Sequence, residues 1–192
     1  MILVIGLSIA PLAHAANGNF TELDQAGINV IIELRQLYEG FSKAAQQPQA
    51  DLKVFLTQWT FLLKTNVKQY VENYSTVVGI QDSDLKRNFN LLLQINDALI
   101  RKVNEVQNYE KLKHKLKADV SFLTESLLEP LEQIEQDIKN VIVPKLEKQS
   151  FYISVEKKSK AKEMLLRVFD LERLIAAVMM KYTAAIIYMD LK

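Results

Sequence analysis

Nine apolar side chains, Ala161, Met164, Val168, Leu171, Ile175, Val178, Tyr182, Ala185 and Met189, follow one another at alternating steps of three and four residues. That alternation keeps one stripe of an α-helix turned toward a partner helix. Leu165, Leu174, Met179, Ile186 and Ile187 widen the stripe, and Leu174 to Met180 contains no polar side chain. So broad an apolar face must be covered by the same chain, by another molecule or by lipid. A membrane crossing fits poorly, because Leu174 to Met189 is 16 residues with Lys181 near its middle, and a spanning helix needs roughly 20.

The upstream chain has the pattern to provide the cover. A first helix is predicted over 21–46, with Thr21 as its cap and Leu23, Val30, Ile31, Leu34, Leu37, Tyr38 and Phe41 as its apolar stripe. Gly27 and Gly40 inside it permit close approach of a neighbour. A second helix is predicted over 50–78, where Leu52, Phe55, Leu56, Trp59, Leu62, Leu63, Val67, Tyr70, Tyr74 and Val77 share one side and Lys53, Thr57, Lys64, Lys68 and Ser75 the other. Gly79 supplies a left-handed stop, and Asp82 or Ser83 the next cap. The third begins near Asp84 and carries Leu85, Leu92, Ile95, Leu99, Val106 and Tyr109, with Asn88 and Lys102 as polar intrusions.

No Gly or Pro falls between Gly79 and Pro130, so composition alone allows one very long helix there. Length argues for a fold-back. The first three apolar stretches are 25 to 29 residues each, about 40 Å, and 120–147 and 164–191 match them, as side-by-side packing demands. A bend is therefore expected within 108–119. In the fourth helix, Ser126 and Glu129 have capping-box spacing that would put Pro130 in the first turn; if the helix starts at Asp119 or Ser121 instead, Pro130 kinks it. Pro144 bends or ends the same helix, and a fifth starts near Ser154. The expected fold is all-α: a single-domain antiparallel bundle of four or five long amphipathic helices.

Residues 1–15 stand apart. An apolar run from Ile2 to Ala10, a break at Pro11 and the small residues of Ala13-His14-Ala15 form a secretory cleavage pattern. A signal peptide over 1–15 and a helical domain over 16–192 are expected, placing the protein outside the cell. There, a chain with no cysteine must be held by packing alone. Asn19 opens a glycosylation sequon usable in a eukaryotic host. The sequon at Asn73 falls on the side of Phe55, Trp59 and Leu62 and is expected to stay unused.

Catalysis has little material. Past residue 15 the only histidine is His114, in a lysine-rich stretch with Glu110 as the one acid at helical spacing. No nucleophile elbow, P-loop, dinucleotide turn, zinc-ligand spacing or Glu-x-x-His pair occurs. The carboxylates of Glu125, Glu129, Glu132, Glu135 and Asp137 read as a solvated acidic face, since calcium sites usually need a ligand-bearing loop. The chain is accordingly expected to be no enzyme and to hold no metal or cofactor. A net charge of +1 is too weak for general nucleic-acid binding. The acidic stretch 121–138 and the basic stretches Lys111–Lys117 and Lys157–Arg167 are expected to pair along the bundle; the alternative is that the basic patches meet an anionic surface.

What remains is binding. The expected function is that of a secreted carrier or binding protein whose interior accommodates a hydrophobic or lipid-like molecule. Trp59, Tyr70, Phe89, Leu99, Leu171, Ile175, Val178 and Tyr182 are the candidate lining positions, because aromatic and heptad positions converge at a bundle centre. The general design resembles that of exchangeable apolipoproteins and, more distantly, of cytokine bundles, and no residue is carried over from either. One alternative is a membrane-perturbing toxin or immune effector using the last helix; another is a receptor ligand or structural partner that needs no cavity.

Overall fold

The computed structural model describes residues 20–47, 50–78, 83–112, 120–148 and 155–189, and each stretch is helical over nearly its whole length. The fold is all-α, with no strand among the described residues. Helix α1 spans Phe20–Ala44. Helix α2 covers 52–78, its two α-helical halves joined by a wider π turn at Leu63–Val67. Helix α3 spans Ser83–Leu112. Helix α4 covers 120–148 and contains two π turns, Thr124–Leu128 and Ile138–Ile142. Helix α5, Val155–Met189, is the longest at 35 residues. The leader-like segment 1–15, Asn19, Gly79, Asp82, His114 and the connection 149–154 lie outside the described residues.

Two helix starts differ slightly from expectation. Helix α1 already begins at Phe20, so Thr21 lies within its first turn. Asp51 caps α2, its carboxylate accepting the Lys53 backbone N–H at 3.2 Å, as a short acceptor at that position does.

Side-chain contacts show which way the helices run. Gly27 faces Tyr70, Glu33 accepts from Asn66 Nδ2 at 3.0 Å, and Gly40 faces Phe55, so α1 and α2 run in opposite senses. Asn96 Nδ2 donates to Thr60 Oγ1 at 2.8 Å and Gln107 Nε2 to the Ala50 carbonyl at 3.0 Å, which opposes α3 to α2. Lys102 Nζ reaches the Ser126 carbonyl at 2.9 Å across 24 residues of chain. In one straight helix that separation would be about 36 Å, so α3 and α4 are separate helices lying against each other. Arg173 meets Glu135 at 3.0 Å and Lys162 Nζ donates to the Glu147 carbonyl at 2.8 Å, opposing α5 to α4. Lys160 pairs with Asp24, and Tyr182 donates to Glu110 at 3.0 Å.

Helix α5 touches all four other helices. Its Leu165, Val168, Phe169 and Ile175 are buried in one continuous core with Leu34, Leu56, Leu63, Leu92, Leu99 and Leu131. Of the three-and-four stripe, Ala161, Met164, Val168, Leu171, Ile175 and Tyr182 are buried and Val178 is half-buried. The last two members depart from it. Ala185 and Met189 are exposed, and Ile186 and Ile187 take the inner face. A seven-residue repeat slips by about 20° per heptad on a straight helix, so over the length of α5 the stripe rotates off the core.

The capping-box expectation for Ser126 and Glu129 is overturned. Ser126 lies inside a π turn of a helix that already runs from Val120. Pro130 has no N–H to offer the Ser126 carbonyl one turn back, and the Lys102 ammonium bonds that carbonyl instead. Pro144 likewise follows a π turn, and the helix continues past it to Lys148. The basic stretch of α5 is engaged by Asp24 of α1 and by Glu163 of its own helix, while the acidic stretch of α4 meets α5 through Glu135 and Arg173.

Candidate functional site

Two places stand out, one at the surface and one inside. The surface site begins with a missing side chain. A Cβ on Gly27 would lie 2.7 Å from Tyr70 Cε2, so glycine lets the Tyr70 ring from α2 sit against the backbone of α1. The ring also stacks on Tyr74, with centroids 6.1 Å apart. Beside this notch, α1 and α5 leave a groove of about 270 Å³. Its floor is apolar: Ile31, Tyr70 and Met164 are buried, and Ile28 stands half-exposed on one wall. Its rim is charged but balanced, Lys160 being paired with Asp24 and Arg167 with Glu163. Burial, followed by the nearby Tyr74, Asp24 and Glu163, pushes the Tyr70 phenol well above its usual value. The groove thus offers an aromatic and aliphatic bed with a hydroxyl that stays protonated.

The inner site is a polar layer crossing the core. Glu172 on α5 is fully buried, and its Oε1 accepts the Trp59 indole N–H at 3.3 Å, while Oε2 has no partner. Asn96 on α3 is also fully buried; its amide N–H donates to Thr60 Oγ1 and its Oδ1 accepts nothing. Thr60 in turn donates to the Leu56 carbonyl at 2.7 Å. Burial holds the Glu172 carboxyl well above the usual carboxylate range; the Trp59 bond pulls it down and Asp97 adds to the rise.

The eight residues expected to line an interior site fall in three places. Tyr70 lines the groove. Tyr182 lines a seam with Leu52, Val103 and Met179 that is too tight for a water molecule. Trp59, Phe89, Leu99, Leu171 and Ile175 belong to the continuous core, and Val178 packs against it.

The sequence contained a signal for the inner layer. The residues three and four away from Glu172 on both sides are Val168, Phe169, Ile175 and Ala176, and those around Asn96 are Leu92, Leu93, Leu99 and Ile100. A polar residue whose whole same-face neighbourhood is apolar is placed in the core by helical geometry. The groove left no such mark, because it depends on which two helices lie side by side.

Among the described residues, no three His, Cys, Asp or Glu side chains are grouped to hold a metal ion, and no helix is long and apolar enough to cross a membrane. Comparison with protein-family models, with curated proteins and with solved structures found no match to the chain.

Proposed function

We propose that the protein is a secreted, non-enzymatic binding protein, a single-domain antiparallel bundle that takes the apolar part of a hydrophobic or lipid-like molecule into the groove between α1 and α5. The observation that carries this is the groove itself, in which Tyr70, Ile31 and Met164 form an apolar floor beneath a charged rim. At about 270 Å³ it lies just below the range of ligand pockets, which suits a ring or a short acyl segment better than a whole lipid. Secretion rests on the cleavage pattern over 1–15, and a glycan at Asn19 would follow from it in a eukaryotic host.

Calorimetric titration with a medium-chain fatty acid tests the reading, with Ile28→Asp as the comparison. Ile28 is 52% exposed, so the change should leave thermal stability nearly untouched while weakening binding at least about tenfold by placing a charge on the groove wall. Equal affinity in the variant, or no heat at millimolar ligand, rejects the groove as the site. Native mass spectrometry of protein taken from its own source would identify a resident ligand.

A second reading, membrane perturbation by α5, is favoured by the carboxyl that this helix carries into the core. Dye release from anionic vesicles supports it, and intact vesicles at micromolar protein count against it.

A further inference from the structure

We propose that Glu172 is a proton-operated latch: with a neutral carboxyl it holds α5 against α2, and on ionisation it loosens that grip. The inference is independent of what occupies the groove.

The geometry is that of an acid built for its neutral form. Glu172 is fully buried near the middle of the helix that touches every other one. A buried carboxylate is tolerated when a cation or several N–H donors face it, and Glu172 has one long bond, from Trp59 Nε1. Among the described residues, no element supplies more. On α2 its neighbour is Trp59, and the hydroxyl of the next residue, Thr60, is committed to the Leu56 carbonyl. On α3 the charged neighbour is Asp97, of like sign. The acid that α4 presents, Glu135, is held by Arg173, and Arg173 is also taken by Asp170 of its own helix. At the same level α1 brings Leu34 and Leu37 inward, while Arg35 and Glu39 are exposed.

The sign follows from linkage. An unfolded chain gives up this proton near the usual value of 4.5, and the folded chain keeps it to a higher pH. The folded state therefore binds more protons across that window. The contribution is complete below about pH 4.5 and is lost as pH rises toward the raised value. Acid tightens the latch and alkali releases it.

The chain carries its own reporter, because Trp59 is its single tryptophan and bonds the acid directly. Acrylamide quenching of Trp59, hydrogen exchange of the α5 amides and melting temperature are measured on the full chain from about pH 5 to pH 9, a window reaching the values buried glutamates attain. In the wild type, quenching should rise at least about twofold, α5 should exchange faster, and the melting temperature should fall by about 5 °C or more. Glu172→Gln should remove this dependence and melt higher at the alkaline end. Asp97→Asn, an exposed change, should move the wild-type midpoint to lower pH by withdrawing a like charge. A flat wild-type profile overturns the proposal, as does a Glu172→Gln profile that keeps the wild-type slope. If the glutamine variant fails to fold, an unmoved midpoint in Asp97→Asn overturns it.

Discussion

Two glycines of α1 face aromatic rings, and the rings differ in how far they can retreat. A Cβ on Gly27 would meet Tyr70, which is 2% exposed, at 2.7 Å; one on Gly40 would meet the partly exposed Phe55 at 3.0 Å. Alanine gains about 1 kcal/mol over glycine inside a helix, and forcing a packed ring aside costs about 1–3 kcal/mol. Gly27→Ala should therefore lose about 1 kcal/mol in urea unfolding. Gly40→Ala should be neutral or gain up to about 1 kcal/mol, because Phe55 can swing outward. Sequence placed both glycines where a neighbour could come close, and Trp59 and Tyr70 among the inward aromatics. Glu172 and Asn96 went unread, since a stripe is followed through its apolar members and a polar residue lying between two such rows is passed over.

At the scale of the helix, α4 shows how two prolines can be carried without a break. Each follows a π turn by two residues, and the carbonyl that Pro130 leaves unpaired is bonded by Lys102 from α3. Lys102→Met should cost about 1–2 kcal/mol by stranding that carbonyl, the partly exposed ion pair with Glu105 adding little. In a Pro130→Ala background an N–H is restored to the turn, and the same change should cost less. A double-mutant cycle in chemical denaturation should return a coupling of about 0.5 kcal/mol or more; strict additivity would show that Lys102 acts elsewhere. The helices themselves were legible, because apolar residues recur at helical period and Pro48 and Gly79 fall between the first three. The π turns were not, since composition gives no sign of a carbonyl whose donor comes from another helix. Lys102, met in sequence as an intrusion on an apolar stripe, is that donor.

Across the whole molecule, titration couples distant helices through buried phenols. Burial holds both Tyr70 and Tyr182 above their usual value of 10.0, Tyr74 adding to the rise in the first and the bond to Glu110 in the second. Above about pH 10 the folded chain keeps protons that the unfolded chain releases, so stability falls as pH climbs further. Alkaline unfolding followed by circular dichroism should start above about pH 10, and Tyr70→Phe should move its midpoint upward. An unchanged midpoint would mean that the Tyr70 phenol takes no part. That the chain is all-α, and that the tail helix needs cover, was readable from its helical period and from an apolar face too broad to leave bare. Which helices lie side by side was not, because the deciding contacts, such as Asp24 with Lys160, join residues far apart in sequence. Trp59 beside Glu172 and Leu52 in one seam with Tyr182 oppose α5 to α2, as α1 is opposed to it, so α1 and α5 run in a common direction with Asp24 beside Lys160. Phe20 and Met189 consequently sit at opposite poles, separated by roughly 50 Å. A circular permutant joining them would need a bridge of about 15 extended residues, and a shorter one would drag a pole of the rod apart.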